Sequence, residues 1–322
     1  MQSVLSQTYA SIEILVIDDC GGDGSLAVVE SLQKSHRRGV DIRIIRNGEN
    51  EGVGHTRNRI IDEARGRYLY FLDSDDLIEP DTIELLMGEA KHHAADIVYG
   101  SYEQVDNVSH TATKTFTYPE LRLTGHDALA TYAFRNYGTF QVSVCNCLIR
   151  LDFLRRSKVR FIDAMFWEDM AFTYDLVMHV ERAVLLPRIT YHYLCRPYSL
   201  SNYQDREKLN KEEILKNAST LDYLKWKTHH IKRKPYIAYF CYNLQMNSFY
   251  IVCHVLKYRR RIVPAITNFE LRHIMRHPMS LMQILHFPDK RLQSVLLWAI
   301  PKLPVPLFIV IVRLLGKMKH VI

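Results

Sequence analysis

The chain has 322 residues, 48% of them apolar and 24% charged, an ordinary globular composition that excludes a disordered or low-complexity protein and allows one large domain or a catalytic domain with an accessory one. Its 42 Lys and Arg against 35 Asp and Glu leave a net charge of +7, which suits nucleic acid, anionic lipid or phosphorylated small molecules as partners. Six cysteines, at 20, 145, 147, 195, 241 and 253, form no CxxC pair, so a zinc or redox motif of that kind is not expected and cysteine should pack as a small hydrophobe in a reducing compartment.

The N-terminus, MQSVLSQTYASIEILVIDD, lacks the basic stretch and long apolar run of a signal peptide, which predicts a cytosolic protein. Residues 12–17 (IEILVI) are a short β-branched run ending at Asp18-Asp19, the pattern of a buried parallel strand. A helix is expected over 26–35, a second strand over 41–46 (DIRIIR), and a helix from about 56 to 64 after the loop NGENEGVG. Residues 67–72 (RYLYFL) form a third strand that ends at Asp73-Ser74-Asp75-Asp76. Pro80-Asp81 opens another helix, and residues 96–99 (DIVY) are a fourth strand. This alternation predicts an α/β fold with a mostly parallel central sheet covered on both faces. From 101 to 200 the rhythm breaks into mixed segments; from 207 to 262 a helical, Lys- and Arg-rich region is expected to present a solvated face.

Ligands of open α/β sheets bind outside the carboxyl ends of strands, so Asp18, Asp19, Asp73 and Asp75 can share one crevice. Two carboxylates one residue apart, as in Asp73-Ser74-Asp75, can hold Mg²⁺ or Mn²⁺, which prefer oxygen ligands and complete their shell with phosphate and water; the same string also reads as a solvated turn. Asp18-Asp19 with Asp23 reads either as acceptors for a nucleobase or ribose hydroxyl or as a turn with a helix cap. In the loop that follows, Gly52 and Gly54 permit close backbone approach, and Arg57 can neutralise a diphosphate or pair with one of the aspartates. No GxGxxG or Walker motif occurs.

The string QTYASIEILVIDDCGGDGS, then NEGVGHTRN, then GRYLYFLDSDDLIEPD resembles glycosyltransferase family 2, the large inverting family with the GT-A fold, over about residues 3 to 100. The resemblance continues more weakly through Trp167-Glu168-Asp169 to Tyr191-His192-Tyr193. It implies that Asp19, with Asp18 beside it, contacts the donor base, and that Arg57 lies near the nucleotide. It also implies that Asp75 is the metal ligand of the DxD motif with Asp73 in support, and that Asp169 is the catalytic base. Arg196 and Ser199, in HYLCRPYSLS, resemble a segment that closes over the donor diphosphate.

The implied protein is a metal-dependent transferase using Mn²⁺ or Mg²⁺, a nucleotide-sugar donor (UDP-sugar as the first expectation) and a glycan or lipid-linked acceptor. Family members usually begin about 20 residues earlier, with a strand central to the sheet, and a chain without it is expected to expose apolar faces and unpaired backbone groups. The expected organisation is a catalytic domain over 1–205 and a helical region over 206–322.

Residues 292–312 are mostly apolar, interrupted by Pro301, Pro304 and Pro306 and followed by Arg313, Lys317 and Lys319. That pattern predicts peripheral contact of residues 292–322 at the inner face of the cell membrane, with a buried helix or a true span as the alternatives. The basic region follows no nucleic-acid motif, so no nucleic-acid partner is expected. Two other classes compete. A non-catalytic nucleotide-sugar-binding scaffold subunit has no evident use for Asp73, Asp75 and Asp169 together. A nucleotidyltransferase generally needs a Gly-rich, basic phosphate loop near its N-terminus, and none is visible.

Overall fold

Short apolar strands alternate with amphipathic helices in the computed structural model, which describes residues 1–164, 167–196 and 207–321. A short helix α1 (Gln2–Leu5) precedes β1 (Ile14–Asp18), α2 (Ser25–Ser35), β2 (Ile42–Arg46), α3 (Val53–Glu63) and β3 (Tyr68–Tyr70). Next come β4 (Leu77–Ile78), α4 (Thr82–His92), the long β5 (Ile97–Asp106), β6 (Ala112–Phe116), β7 (Leu121–Thr124) and α5 (Ala128–Arg135). They are followed by β8 (Cys147–Arg150), α6 (Leu151–Ser157), α7 (Glu168–Val177) and β9 (Arg182–Cys195). The remainder is helical apart from two-residue strands: β10 (Leu209–Asn210), α8 (Lys211–Lys227), α9 (Ile237–Tyr258), β11 (Ile262–Val263), α10 (Asn268–Ile274), α11 (Leu281–His286), α12 (Arg291–Ala299) and α13 (Val305–Met318).

The chain divides into two units. Unit 1 comprises Met1–Leu129, Gln141–Asp163 and Phe172–Pro197; unit 2 comprises Ala130–Phe140, Ala164–Ala171 and Tyr198–Ile322. The boundary expected between 205 and 206 lies outside the described residues.

In unit 1, β1 and β2 form a parallel pair of their own, and a larger sheet runs β3-β8-β5-β9-β4, with β6 on β5 and β7 on β9. The two longest ladders, β5–β9 and β1–β2, are parallel. β8 runs antiparallel to both β3 and β5. Because β9 is parallel to β5, the strands β3, β5 and β9 therefore point the same way. Among the described residues β1, β2 and β3 each pair along one edge only. The fourth strand reaches far beyond the expected residue 99: its polar continuation to Asp106 pairs with β6 as a hairpin arm, where Tyr102 stacks on Phe116 with ring centroids 4.5 Å apart.

Helix α4 buries Leu86, Met87 and Ala90 against Val98, Leu148 and Val184 of the sheet, the inward face that i, i+4 spacing provides. Leu5, Ile14, Val29 and Ile42 close a smaller core between α1, α2 and the β1–β2 pair. In unit 2 the solvated face expected over 207–262 is confined to α8 and the connecting turns. Helix α9 is buried on nearly every side, and two of its side-chain amides donate inside the unit: Gln245 to the Met275 carbonyl at 2.6 Å and Asn243 to the Phe134 carbonyl at 2.9 Å. The prolines of the C-terminal stretch sit where helices begin, with Pro301 in the turn after α12 and Pro304 and Pro306 at the start of α13, because proline's missing N–H costs nothing there.

Candidate functional site

The carboxyl ends of β1 and β3 each carry an acidic turn. At the end of β1, Asp19 accepts hydrogen bonds from the Asn47 amide (2.7 Å), the Glu51 N–H (2.8 Å) and the Gly52 N–H (2.9 Å). Burial raises its pKa, but these donors outweigh burial and hold the carboxyl below its usual value. Gly52, with φ of 85°, is the N-cap of α3, a backbone conformation glycine adopts without cost. Two residues later, a Cβ on Gly54 would lie 2.9 Å from the Ile162 carbonyl, so this position also has to be glycine. Asp18 accepts from the Gly21 N–H at 3.1 Å.

At the end of β3, residues Asp73 to Asp76 form a turn closed by the Asp76 N–H to the Asp73 carbonyl at 3.2 Å. Each of its carboxylates has a different partner. Asp73 pairs with Arg57 of α3 at 2.9 Å; the guanidinium is buried and lies 5.5 Å from the centre of the Phe161 ring. Asp75 pairs with Arg196, just beyond β9. Asp76 points inward, accepting from the Tyr191 hydroxyl and from the Leu194 N–H at 2.8 Å. Burial pushes Asp76 up to about 6, against those two hydrogen bonds, with the neighbouring Asp75 and Asp73 adding to the rise. Burial likewise drives the Tyr191 hydroxyl far above its ordinary value.

β4 is the element that assembles this turn. It follows Asp76 immediately and pairs antiparallel with β9, Ile78 opposite Tyr191 and Leu77 opposite His192. His192 ties the strands further, with Nε2 2.7 Å from Glu79 and Nδ1 2.9 Å from Glu103. Helix α3 in turn joins the two acidic turns, since its N-terminus is held by Asp19 and its second turn carries Arg57.

Of the residues singled out from sequence, Asp18, Asp19, Arg57, Asp73, Asp75 and Arg196 are all in unit 1. Asp169 lies in the first turn of α7, partly buried, where a helix N-terminus favours a carboxylate. One turn further along that helix, Phe172 stacks on Phe161 at 4.0 Å and meets Phe71 edge-on. Ser199 is outside the described residues. Sequence reasoning missed Asp76, Tyr191 and Asn47 as parts of the site. Asp76 stood in the same acidic string, yet no periodicity marks which carboxylate of a turn will be buried. Asn58 was also overlooked: its side chain exchanges two hydrogen bonds with the Phe161 backbone, at 2.8 and 2.9 Å.

The donor set of the turn fits a hard divalent cation. It offers only oxygens, Asp73 and Asp75 are 39% and 36% exposed, and each is paired with an arginine. No group of three or more His, Cys, Asp or Glu that could hold a metal occurs among the described residues, so the remaining ligands would have to be phosphate and water. A groove of about 520 Å³ in unit 2, lined by residues that include His229, Lys232, Met279 and His286, has no carboxylate in its wall and is not this site.

The architecture, an α/β unit with acidic turns at the carboxyl ends of its strands and a helical C-terminal region, is of the GT-A type. It matches the crystal structure of S. aureus TarS 1-349 in complex with UDP-GlcNAc with a TM-score of 0.58 at 18% identity, over 93% of this chain and 84% of that one. The same protein in complex with UDP gives a TM-score of 0.53, over 99% of this chain and 86% of that one, also at 18% identity.

Residues 1–157 match the family model described as Glycosyl transferase family 2. Relatives include the cholesterol galactosyltransferase of Borreliella burgdorferi, 27% identical over 67% of this chain and 62% of that protein. Another is the uncharacterized glycosyltransferase EpsJ of Bacillus subtilis, 30% identical over 62% of this chain and 58% of that protein. The succinoglycan biosynthesis protein ExoO of Rhizobium meliloti is 25% identical over 85% of this chain and 78% of that protein. The chain thus spans under two thirds of the length of the first two of these relatives.

Proposed function

We propose that the chain is an inverting, metal-dependent glycosyltransferase of polysaccharide biosynthesis, using a UDP-sugar and a glycan or lipid-linked acceptor at the inner face of the cell membrane. The observation that carries this reading is the Asp73–Asp76 turn, with two exposed carboxylates each matched to an arginine at the carboxyl end of a strand. The relatives named above work on sugars, and the TarS structures hold UDP and UDP-GlcNAc.

Asp75, supported by Asp73, would hold Mn²⁺ or Mg²⁺, which when bound neutralises charge on the departing diphosphate. Asp19 and Asp18 would face the nucleotide base and ribose from the end of β1, with the loop held by Asp19 forming one wall. Arg57 and Arg196 would offer guanidinium N–H groups to the donor phosphates. Asp169 would accept the proton of the acceptor hydroxyl as its oxygen bonds to the anomeric carbon. The bond from that carbon to the diphosphate breaks on the opposite face, the nucleoside diphosphate leaves, and the configuration inverts. Holding the two substrates in line contributes much of the remaining acceleration.

Calorimetric titration with a panel of nucleoside diphosphates, with and without Mn²⁺, tests the donor site. Binding that requires the cation and disappears in Asp75→Asn is expected, and absence of binding to every nucleotide overturns the reading. Asp169→Asn should bind donor normally while turning over about a thousandfold more slowly, the range that loss of a general base produces. Normal turnover by that variant would reject Asp169 as the base.

A further inference from the structure

Helix α13 is apolar on two opposite sides. Phe308, Val312 and Gly316 face inward at four-residue spacing and are buried. On the far side Leu307, Val310, Leu314 and Met318 recur at the same helical period and are 52 to 76% exposed. Helix α12 repeats the arrangement, with Ser294 and Leu297 buried and Leu292 and Leu296 exposed by 83% and 48%. A helix that is apolar all round is normally enclosed by protein or lipid, and among the described residues nothing encloses these outer faces.

Charge decides the occupant. Residues 290–322 contain six Lys and Arg and not one Asp or Glu, so +6 of the chain's +7 lies in them. All six are exposed, and Arg313 and Lys317 flank the apolar strip of α13 along one side. An apolar centre with a cationic margin is the surface chemistry of a segment lying in a lipid headgroup region; a phosphate backbone has no complement for the leucines. The geometry forbids a crossing: α13 has 14 residues, about 21 Å of helix, against a hydrocarbon core of about 30 Å. No helix among the described residues is long and apolar enough to cross a membrane.

We infer that the outer faces of α12 and α13 dock on an anionic lipid bilayer, with Leu307, Val310, Leu314 and Met318 entering the interface and Arg313 and Lys317 meeting the headgroups. This deepens the membrane-peripheral location proposed above and rests on it, but it uses none of the residues assigned to the donor site.

The test is co-sedimentation of the whole chain with vesicles of phosphatidylcholine alone and of phosphatidylcholine mixed with phosphatidylglycerol. Binding to the mixed vesicles that weakens with added salt is expected, with much less on the neutral ones. Arg313→Gln and Lys317→Gln should each reduce it roughly fivefold. Leu314→Gln with Met318→Gln should abolish it; both side chains are exposed, and circular dichroism and donor titration report whether the variant stays folded. Equal binding to both vesicle types, or unchanged binding by the double variant, overturns the inference. So does dimerisation in analytical ultracentrifugation that the double variant dissolves while no vesicle binding occurs, since the face then belongs to a second copy. Donor binding with no vesicle binding removes this surface and leaves the transferase reading intact; the converse removes the transferase reading alone.

Discussion

The two acidic turns of unit 1 look alike in sequence and work differently in space. Each follows an apolar strand and each holds adjacent carboxylates. At the end of β1, Asp19 is saturated by two backbone N–H groups and the Asn47 amide, all from the chain between 47 and 52. At the end of β3, Asp73 and Asp75 are paired with arginines, and Asp76 is buried under Tyr191 and Leu194. A carboxylate that accepts from the N–H groups of its own loop fixes that loop. Asp75, balanced by the half-exposed guanidinium of Arg196, keeps its charge exchangeable. Preorganisation and exchange are thus divided between two turns that α3 joins.

Neutralising one aspartate in each turn gives the largest predicted contrast. Asp75→Asn should weaken cation-dependent donor binding by about a hundredfold or more, whereas Asp19→Asn should weaken donor binding at saturating cation while leaving the cation concentration needed for half-maximal binding unchanged. Titrations of both variants over a range of Mn²⁺ read this directly, and equal loss of cation dependence would erase the distinction.

Truncation comes next. Asp76→Ala leaves the buried Tyr191 hydroxyl and the Leu194 N–H without their acceptor, at about 1–3 kcal/mol each, which for a chain of this size lowers Tm by roughly 5–15 °C. Asp19→Ala opens a site that water reaches, so its cost should be about 1 kcal/mol. Thermal unfolding of both variants ranks them, and a reversed order would show that Asp76 is not the buried anchor of its turn.

The smallest effect is a pH slope of opposite sign. Asp19 has a lowered pKa in the fold, so its contribution to stability is present above the unfolded value near 3.9 and is lost as pH falls through the folded one. Asp76, raised to about 6, does the reverse: the stability it adds is full below about 3.9 and is lost as pH rises through about 6. In urea unfolding without added cation, wild type should therefore lose stability relative to Asp76→Asn between about pH 4 and pH 6. Relative to Asp19→Asn it should lose stability as pH falls below about 4. Slopes of the same sign would contradict the burial assigned to Asp76.

Much of unit 1 was legible in advance because its signals are local. The first three strands and the first three long helices fall within a few residues of where apolar periodicity puts them, and the acidic strings mark strand ends correctly. The stretch from 101 to 200 gave little, because β6, β7 and β8 are short strands whose pairing depends on neighbours far along the chain. In unit 2 the Lys- and Arg-rich pattern near α9 suggested a solvated helix; the charges sit in the flanking turns, and only packing shows that the intervening 22 residues are enclosed.

By itself the sequence determined the likeness of residues 1–157 to a glycosyltransferase family model, the identity of the acidic turns and the C-terminal concentration of positive charge, all of which are carried by residues close together in the chain. The tertiary structure decided which carboxylate does what. Arg196 reaches Asp75 across 121 positions and Tyr191 reaches Asp76 across 115, and both arrive because β4 pairs with β9 directly after the turn. Such contacts depend on closing a long loop and aligning a strand register, both of which are properties of the whole sheet.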